Sequence, residues 1–262
     1  MKKTDNILFS LFLLLIPTVL RAQTSPPNPH DAQPERPTVA THAGTVAPGW
    51  LEMESGVEVD RFSDHSHGVV VPTVSKLGVA SRLQLSVQTP VLHPPDEGST
   101  GFGDLAVGMK WRMVEGAPVV GDFAILPSIK APTGSTTSGT GTGTTDASLL
   151  LISSHEFGSV DMDINLGYTH RSGDGSNAPR NSELWTIAFG APVHGRLGWD
   201  AEIYGYPGTS GPAGSSPIVA ILSGPTFQLR KSLVLDAGFI GPLTGPQPRA
   251  VYAGIVYNIG HF

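Results

Sequence analysis

Apolar and polar residues alternate along most of this chain, and the alternating segments are long. In the clearest segment, Leu51, Met53 and Val57 share one side of an extended chain, and acidic residues occupy most of the positions between them. Successive side chains of a strand point to opposite faces, so this pattern predicts strands with one apolar and one polar face. Twelve such segments occur between residues 50 and 259. Each is close to the length of about 9 to 11 residues that a tilted strand needs to cross the hydrocarbon layer of a membrane.

The connections between these segments alternate between long and short. The long ones are polar and rich in Gly, Pro, Ser and Thr, and they cover residues 61–67, 90–102, 131–145, 171–182, 207–216 and 242–249. Outer-membrane barrels combine longer outer loops with short periplasmic turns. The chain is therefore predicted to be all-β and to form an antiparallel transmembrane β-barrel of twelve strands over residues 49–262. An even strand count and a long first loop place both termini in the periplasm.

The N-terminus carries an export signal. Lys2 and Lys3 precede an apolar stretch at residues 7–20, and Ala22 offers a cleavage point, so residues 1–22 are predicted to be a signal peptide. Residues 23–48 form a Pro-rich periplasmic N-terminal segment, and the sequence leaves open whether it enters the barrel. The chain has no cysteine, which excludes a lipoprotein anchor and disulfides. The predicted location is the outer membrane.

Composition limits the partners. The formal net charge is −6, which makes the chain a poor binder of nucleic acid. Beyond the signal peptide, no apolar run reaches the about 18 residues of a transmembrane helix. The expected partners are the lipid bilayer of the outer membrane, the outer-membrane assembly machinery and a small-molecule solute.

Several segments together resemble a known family. They read ERPTVATHAGTVAPGWLEMESGVEV, GFGDLAVGMKWRM, AILPSIKAPTGS and DMDINLGYTH, and the resemblance runs from residue 35 to residue 262. On these segments the chain resembles a family of outer-membrane proteins named for the meta-pathway of phenol degradation, whose members are labelled as transporters. The resemblance implies a barrel and a transport role, and it supplies no substrate.

Charged residues of the polar faces are the candidate functional residues, because these faces would line the lumen. The predicted lumen-lining residues are Glu52, Glu54, Glu58, Arg82, Asp104, Lys110, Arg112, Lys130, Asp161, Asp163, Asp200 and Glu202. Arg82, Lys110 and Arg112, together with Lys76, are expected near the periplasmic ends of the second to fourth strands. The acidic residues Asp161, Asp163, Asp200 and Glu202 lie on the seventh and ninth. We hypothesise that a cationic wall faces an acidic wall and orients polar or charged solutes. In the alternative, these groups form ion pairs that plug the barrel.

The function expected from this pattern is passive or facilitated diffusion of small molecules, including the aromatic compounds that the family name suggests. One alternative is a structural or surface-interaction barrel without transport, since all six outer loops are long enough to bind a partner. A barrel hydrolase is a remote alternative, because His155 and His170 lie near polar residues but no G-x-S-x-G motif is present. We expect no catalytic residues and no cofactor. Asp64, His65 and His67 in the first loop have metal-capable side chains, but a Ser-rich loop of this kind usually stays solvated and no metal site is predicted.

Overall fold

The computed structural model describes residues 28–95, 98–175 and 178–262, so the expected signal peptide at residues 1–22 lies outside the described residues. In this part of the chain, no helix is long and apolar enough to cross a bilayer. The strands are β1 (Trp50–Arg61), β2 (His67–Val71), β3 (Thr73–Ala80), β4 (Leu83–Gln88), β5 (Val91–His93), β6 (Gly101–Phe102), β7 (Leu105–Ala117), β8 (Gly121–Ala131), β9 (Asp146–Phe157), β10 (Val160–Arg171), β11 (Asn181–His194), β12 (Leu197–Tyr206), β13 (Ile218–Arg230), β14 (Leu233–Thr244) and β15 (Arg249–His261).

These strands form one closed antiparallel barrel. β1 pairs with β15 from Trp50 opposite His261 to Arg61 opposite Arg249, and this pairing closes the sheet. Three strands of the barrel are each interrupted by a short break. The breaks lie between β2 and β3, between β4 and β5, and between β6 and β7. Pro72 and Pro90 lie in the first two interruptions, where the missing N–H of proline removes a hydrogen bond of the ladder. When the two segments on either side of each break are counted as one strand, the barrel has twelve strands. The predicted fold is confirmed.

The apolar faces point outward, away from the lumen. Val107, Leu166 and Val251 are exposed on this outer surface, Val251 to 61%. The inward positions are instead polar and buried, as with Glu52, which is fully buried. This arrangement is the reverse of a water-soluble protein and fits a barrel surrounded by lipid. The aromatic side chains of Trp111, Tyr168, Trp199 and Tyr257 are also exposed on the outer surface.

Residues 28–48 lie inside the barrel, and we call them the plug. Near the start of the plug, the N–H of Ala32 donates to the carbonyl of Lys231, in the turn between β13 and β14. The plug then runs into the lumen and returns to the beginning of β1, where Pro48 forms a bridge with Gly78. A side chain at position 78 would lie 2.0 Å from the carbonyl oxygen of Ala47, so the close approach requires glycine. The sequence did not decide whether this segment enters the barrel, and the structure places residues 28–48 in the lumen.

Candidate functional site

Side chains of the barrel wall hold the backbone of the plug. The plug has no helix or strand, so its buried N–H groups need other acceptors. At its innermost point, the N–H groups of Val39 and Ala40 donate to the two carboxylate oxygens of Glu202, at 2.7 and 2.8 Å. Next along the plug, the N–H of Thr41 donates to the amide oxygen of Asn165 at 2.7 Å, and the amide nitrogen of Asn165 donates back to the carbonyl of Thr41. Glu202 and Asn165 therefore replace the backbone partners that a strand would supply.

The predicted lumen residues Glu52 and Glu54 have the same role on the opposite side. The N–H of Gln33 donates to Glu52 at 2.7 Å, and the N–H of Glu35 donates to Glu54 at 2.8 Å. Glu52 and Glu54 also lie 2.7 and 2.5 Å from the ammonium group of Lys76. The two wall carboxylates thus bind a wall cation and the plug backbone together.

Glu35 of the plug joins the two buried lysines of the lumen. Lys76 is 0% exposed and Lys110 is 1% exposed. Lys110 donates to the carboxylate of Glu35 and, at 2.8 Å, to the carbonyl of His42, while Lys76 lies 3.9 Å from Glu35. Burial alone would raise the pKa of Glu35, but the ammonium groups of Lys110 and Lys76 outweigh it and hold this pKa below its ordinary value. Because an unpaired buried charge is costly, Lys110 depends on the carboxylate that the plug brings, whereas Lys76 is also paired with Glu52 and Glu54 of the wall.

A second ion pair fixes the neighbouring plug residue. The guanidinium of Arg36 lies 3.2 Å from the carboxylate of Asp236 on β14. It passes over Gly56 and Gly254, where a side chain would come within 2.6 and 2.4 Å of it. These glycines face each other on β1 and β15, so their missing side chains make the space that Arg36 fills.

A cavity of about 510 Å³ remains in the lumen beside the plug. Its lining includes Asp161 and Asp163 of β10 and Asp200 of β12, which were predicted to form an acidic wall, together with Arg36 and His42 of the plug. Asp163 accepts a hydrogen bond of 2.5 Å from the hydroxyl of Ser154. Within the described ranges, none of the three aspartates forms an ion pair with a Lys or Arg, so this side of the cavity carries carboxyl groups without a basic partner.

Three of the predicted basic residues, Lys110, Arg82 and Arg112, lie beside carboxylates, and Arg112 also lines the cavity beside the plug. Lys110 binds the plug. Arg82 and Arg112 lie near the short-turn end, where both pair with Glu115, at 2.9 and 3.0 Å, and Arg112 also lies 3.8 Å from Asp122. Arg82 and Arg112 therefore each have a carboxylate partner, whereas Asp161, Asp163 and Asp200 have no Lys or Arg partner among the described residues.

Asp104 and Lys130 lie at the long-loop end of the barrel. The ammonium group of Lys130 sits between Asp104, at 2.5 Å, and Asp146, at 3.2 Å. Asp104 also accepts hydrogen bonds from the N–H groups of Gly134 and Thr142, both at 3.0 Å. These two predicted residues therefore hold the Gly- and Thr-rich loop between β8 and β9 against the barrel.

An apolar cluster occupies the lumen on the side of β12 to β15. Tyr204, Leu222, Ile240 and Tyr252 are its larger buried members, and Val39 of the plug packs against them. Glu58, the remaining predicted residue, pairs with Tyr252 across β1 and β15 and so lies next to this cluster. The cavity beside the plug also reaches this side of the barrel, because Thr226 of β13 and Val234 of β14 line it.

A smaller pocket of about 330 Å³ lies between β8 and β12, nearer the long loops. Leu150, Leu184 and Tyr206 give it apolar surface, and Ser128 and Thr169 give it hydroxyl groups. The pocket therefore combines apolar and polar contacts within one cavity.

Sequence reasoning missed several residues that hold the plug. They are Glu35, Arg36, Gln84, Asn165, Asp236 and Asn258. The four that lie on strands occupy inward positions of the alternating pattern, in phase with the predicted charges. Their inward position in the alternating pattern could have identified them, since a polar residue that faces a lumen requires a partner there.

Comparison with protein families gives one match. A family model described as "Putative MetA-pathway of phenol degradation" matches residues 36–258. No curated protein matches the chain in sequence.

Solved structures share the barrel. The COG4313 outer membrane channel from Pseudomonas putida F1 gives a TM-score of 0.60 at 11% identity, covering 90% of this chain and 100% of that chain. The NanC porin gives a TM-score of 0.56 at 8% identity, covering 80% of this chain and 100% of that chain. The KdgM porin, solved in complex with disordered oligogalacturonate, gives 0.54 at 11% identity, covering 80% and 99%. At these identities the likeness shows a common fold, the outer-membrane β-barrel.

Proposed function

Because the chain belongs to the family described as "Putative MetA-pathway of phenol degradation", we propose that it is an outer-membrane channel. The channel allows passive or facilitated diffusion of small molecules. The long loops face the exterior and both termini face the periplasm. The closed ladder satisfies the backbone hydrogen bonds within lipid, and the polar lumen lowers the barrier for a solute.

The observation that carries this proposal is the cavity of about 510 Å³ beside the plug. Barrels of eight strands have interiors that side chains can fill, whereas a larger barrel has room for a ligand or a channel. Here the plug and the apolar cluster fill part of the lumen, and the cavity is the space that remains beside the plug. We propose that a solute crosses the barrel through this space.

The lumen favours cations over anions. Asp161, Asp163 and Asp200 face the cavity without a basic partner among the described residues, while Lys76 and Lys110 are neutralised by glutamates. A pore lined by one sign of charge concentrates ions of the opposite sign. We therefore expect a cation-selective channel.

Aromatic compounds are the first solutes to test. The family description names phenol degradation. The pocket near the long loops, of about 330 Å³, is larger than the cavity of about 150 Å³ that holds benzene in an engineered protein core. Its leucines and Tyr206 offer apolar contacts to a ring, and its hydroxyl groups offer hydrogen bonds to a polar substituent.

Planar-bilayer recordings test the channel and its selectivity. The reversal potential in a KCl gradient should show cation preference, and the double variant Asp161→Asn with Asp200→Asn should reduce that preference severalfold. Asp64→Asn, which changes an exposed carboxylate in the loop between β1 and β2, is the matched control and should leave the reversal potential unchanged. Unchanged selectivity of the double variant would show that the aspartates do not line the conducting path.

Liposome swelling with aromatic acids, aromatic amines, sugars and amino acids would identify the solute class. Faster swelling with aromatic compounds than with sugars of similar size supports the aromatic assignment. Equal rates for all solutes of one size would indicate a non-selective pore.

A barrel without transport is the second candidate, because the plug is held by many wall groups and by the apolar cluster. In that case neither the full chain nor a form lacking residues 28–46 would conduct, although both would be folded. Heat-dependent migration of the barrel on denaturing gels reports that folding.

A further inference from the structure

Two arginines lie side by side on the outer surface of the barrel. Arg61, the last residue of β1, is directly opposite Arg249, the first residue of β15. His67 of β2 lies opposite Arg61 on its other side. Directly opposite side chains share a face of the sheet and have Cβ atoms about 5 Å apart, and like charges in such a pair repel each other. We call Arg61, Arg249 and His67 the basic rim.

The basic rim has no acidic partner in the described part of the chain. Arg249 makes no ion pair there, and the recorded bond of Arg61 joins its guanidinium to Nδ1 of His65 at 3.3 Å. Asp64 in the same loop is occupied by the N–H and hydroxyl of Ser66, at 3.0 and 2.7 Å. The repulsion between the two guanidinium groups is therefore not relieved by a carboxylate of the protein.

The position of the basic rim indicates which group could relieve the repulsion between its two arginines. Val59 and Val251 form the next outward-facing pair of the same two strands, and Val251 is 61% exposed on the apolar surface. Arg61 and Arg249 thus lie at the long-loop edge of the apolar outer surface, where headgroups border the hydrocarbon layer around such a barrel. Arginine binds phosphate through two parallel N–H donors, and a phosphate between two guanidinium groups turns their repulsion into attraction.

We propose that the basic rim binds a phosphate group of a membrane lipid. With the long loops facing the exterior, as in the proposed function, this lipid is the phosphorylated glycolipid of the outer leaflet, lipid A. Arg61 and Arg249 hold one phosphate between them, and the ring N–H of His67 donates to the same group. The lipid's acyl chains lie against the apolar surface that begins at Val59 and Val251.

Lipid binding by the purified, refolded chain tests the proposal. Native mass spectrometry in detergent would measure binding of bisphosphorylated lipid A, of lipid A without phosphates, and of inorganic phosphate. The variant Arg61→Gln with Arg249→Gln should bind bisphosphorylated lipid A about tenfold or more weakly, since each arginine supplies charge-assisted hydrogen bonds. Lipid A without phosphates should bind the wild type as weakly as this variant binds the phosphorylated form.

Two further variants separate geometry from net charge. Arg61→Lys with Arg249→Lys keeps both charges but loses the paired N–H donors, so it should fall between the wild type and the glutamine variant. Arg196→Gln with Arg230→Gln removes the same charge from the short-turn end and should bind like the wild type. Equal affinity of all four proteins for lipid A would overturn the proposal.

Inorganic phosphate distinguishes the source of the ligand. Saturable binding of free phosphate at the basic rim, with an affinity equal to that of lipid A, would also overturn the lipid assignment. Conductance of the same preparations keeps the two proposals separate. A glutamine variant that conducts normally and binds lipid A normally refutes lipid binding alone, whereas a wild type that binds lipid A without conducting refutes the channel alone.

Discussion

Glu202 is the wall residue that reaches the innermost part of the plug, and Glu202→Gln tests whether wall carboxylates hold the plug in the lumen. Glu202 is 4% exposed, and its two oxygens accept the N–H groups of Val39 and Ala40 at 2.7 and 2.8 Å. Glutamine has nearly the same shape but only one acceptor oxygen. Its amide N–H₂ would face the second plug N–H, donor against donor.

The expected magnitude follows from one lost hydrogen bond to a charged group. Such a bond contributes about 1.5–3 kcal/mol, and this range corresponds to a factor of about 10 to 150 in an equilibrium constant. Glu202→Gln should therefore raise the fraction of molecules with a released plug by about 10-fold or more.

The assay uses the absence of cysteine in the natural sequence. A single Ala40→Cys reporter is placed at a plug position that is 2% exposed, so a maleimide reagent reaches it only when the plug leaves the lumen. The labelling rate then follows the released fraction. Glu183→Gln in the same reporter background makes the same chemical change on the exposed surface and should leave the rate unaltered. Equal rates for Glu202→Gln and its parent, with both barrels folded, would refute the role of the wall carboxylates.

Two more predictions use the same reporter. Gly78→Ala would put a methyl group 2.0 Å from the carbonyl oxygen of Ala47, so it should displace the end of the plug and raise labelling, whereas Gly260→Ala, with nothing within 4 Å, should not. Burial and the ammonium group of Lys110 lower the pKa of His42 from its ordinary value of 6.5, so a released plug takes up a proton that the docked plug resists. The docked state is therefore most stable above pH 6.5, and labelling, normalised to the unfolded chain at each pH, should rise as pH falls below this value. His42→Gln should flatten that rise.

The barrel was predictable because its signal is local. The alternation that places Lys110 and Asp163 on the inner face repeats within each strand, and it needs no knowledge of distant residues. The strand count follows from the same pattern and from the rhythm of the loops. Even the break between β2 and β3 is marked in the sequence by Pro72.

The plug was not predictable from such patterns. Its contacts join residues far apart in the sequence, as between Thr41 and Asn165, and between Val39 and Glu202. Its backbone is irregular, so no periodicity relates its residues to the strands that they touch. A charged residue on a polar face also suggests contact with water, and for Glu202 that inference fails, since its carboxylate binds two backbone N–H groups.

The carboxylates of the lumen therefore fall into two groups. Asp161 and Asp200 face the cavity in the docked state, whereas Glu202 meets ions only when the plug leaves. Simple obstruction by the plug predicts that release changes conductance alone. Exposure of further carboxylates predicts that cation preference rises together with conductance. Gly78→Ala separates the two cases because it disturbs the plug without changing any charge, and an increased conductance at constant reversal potential would mean that the plug only obstructs.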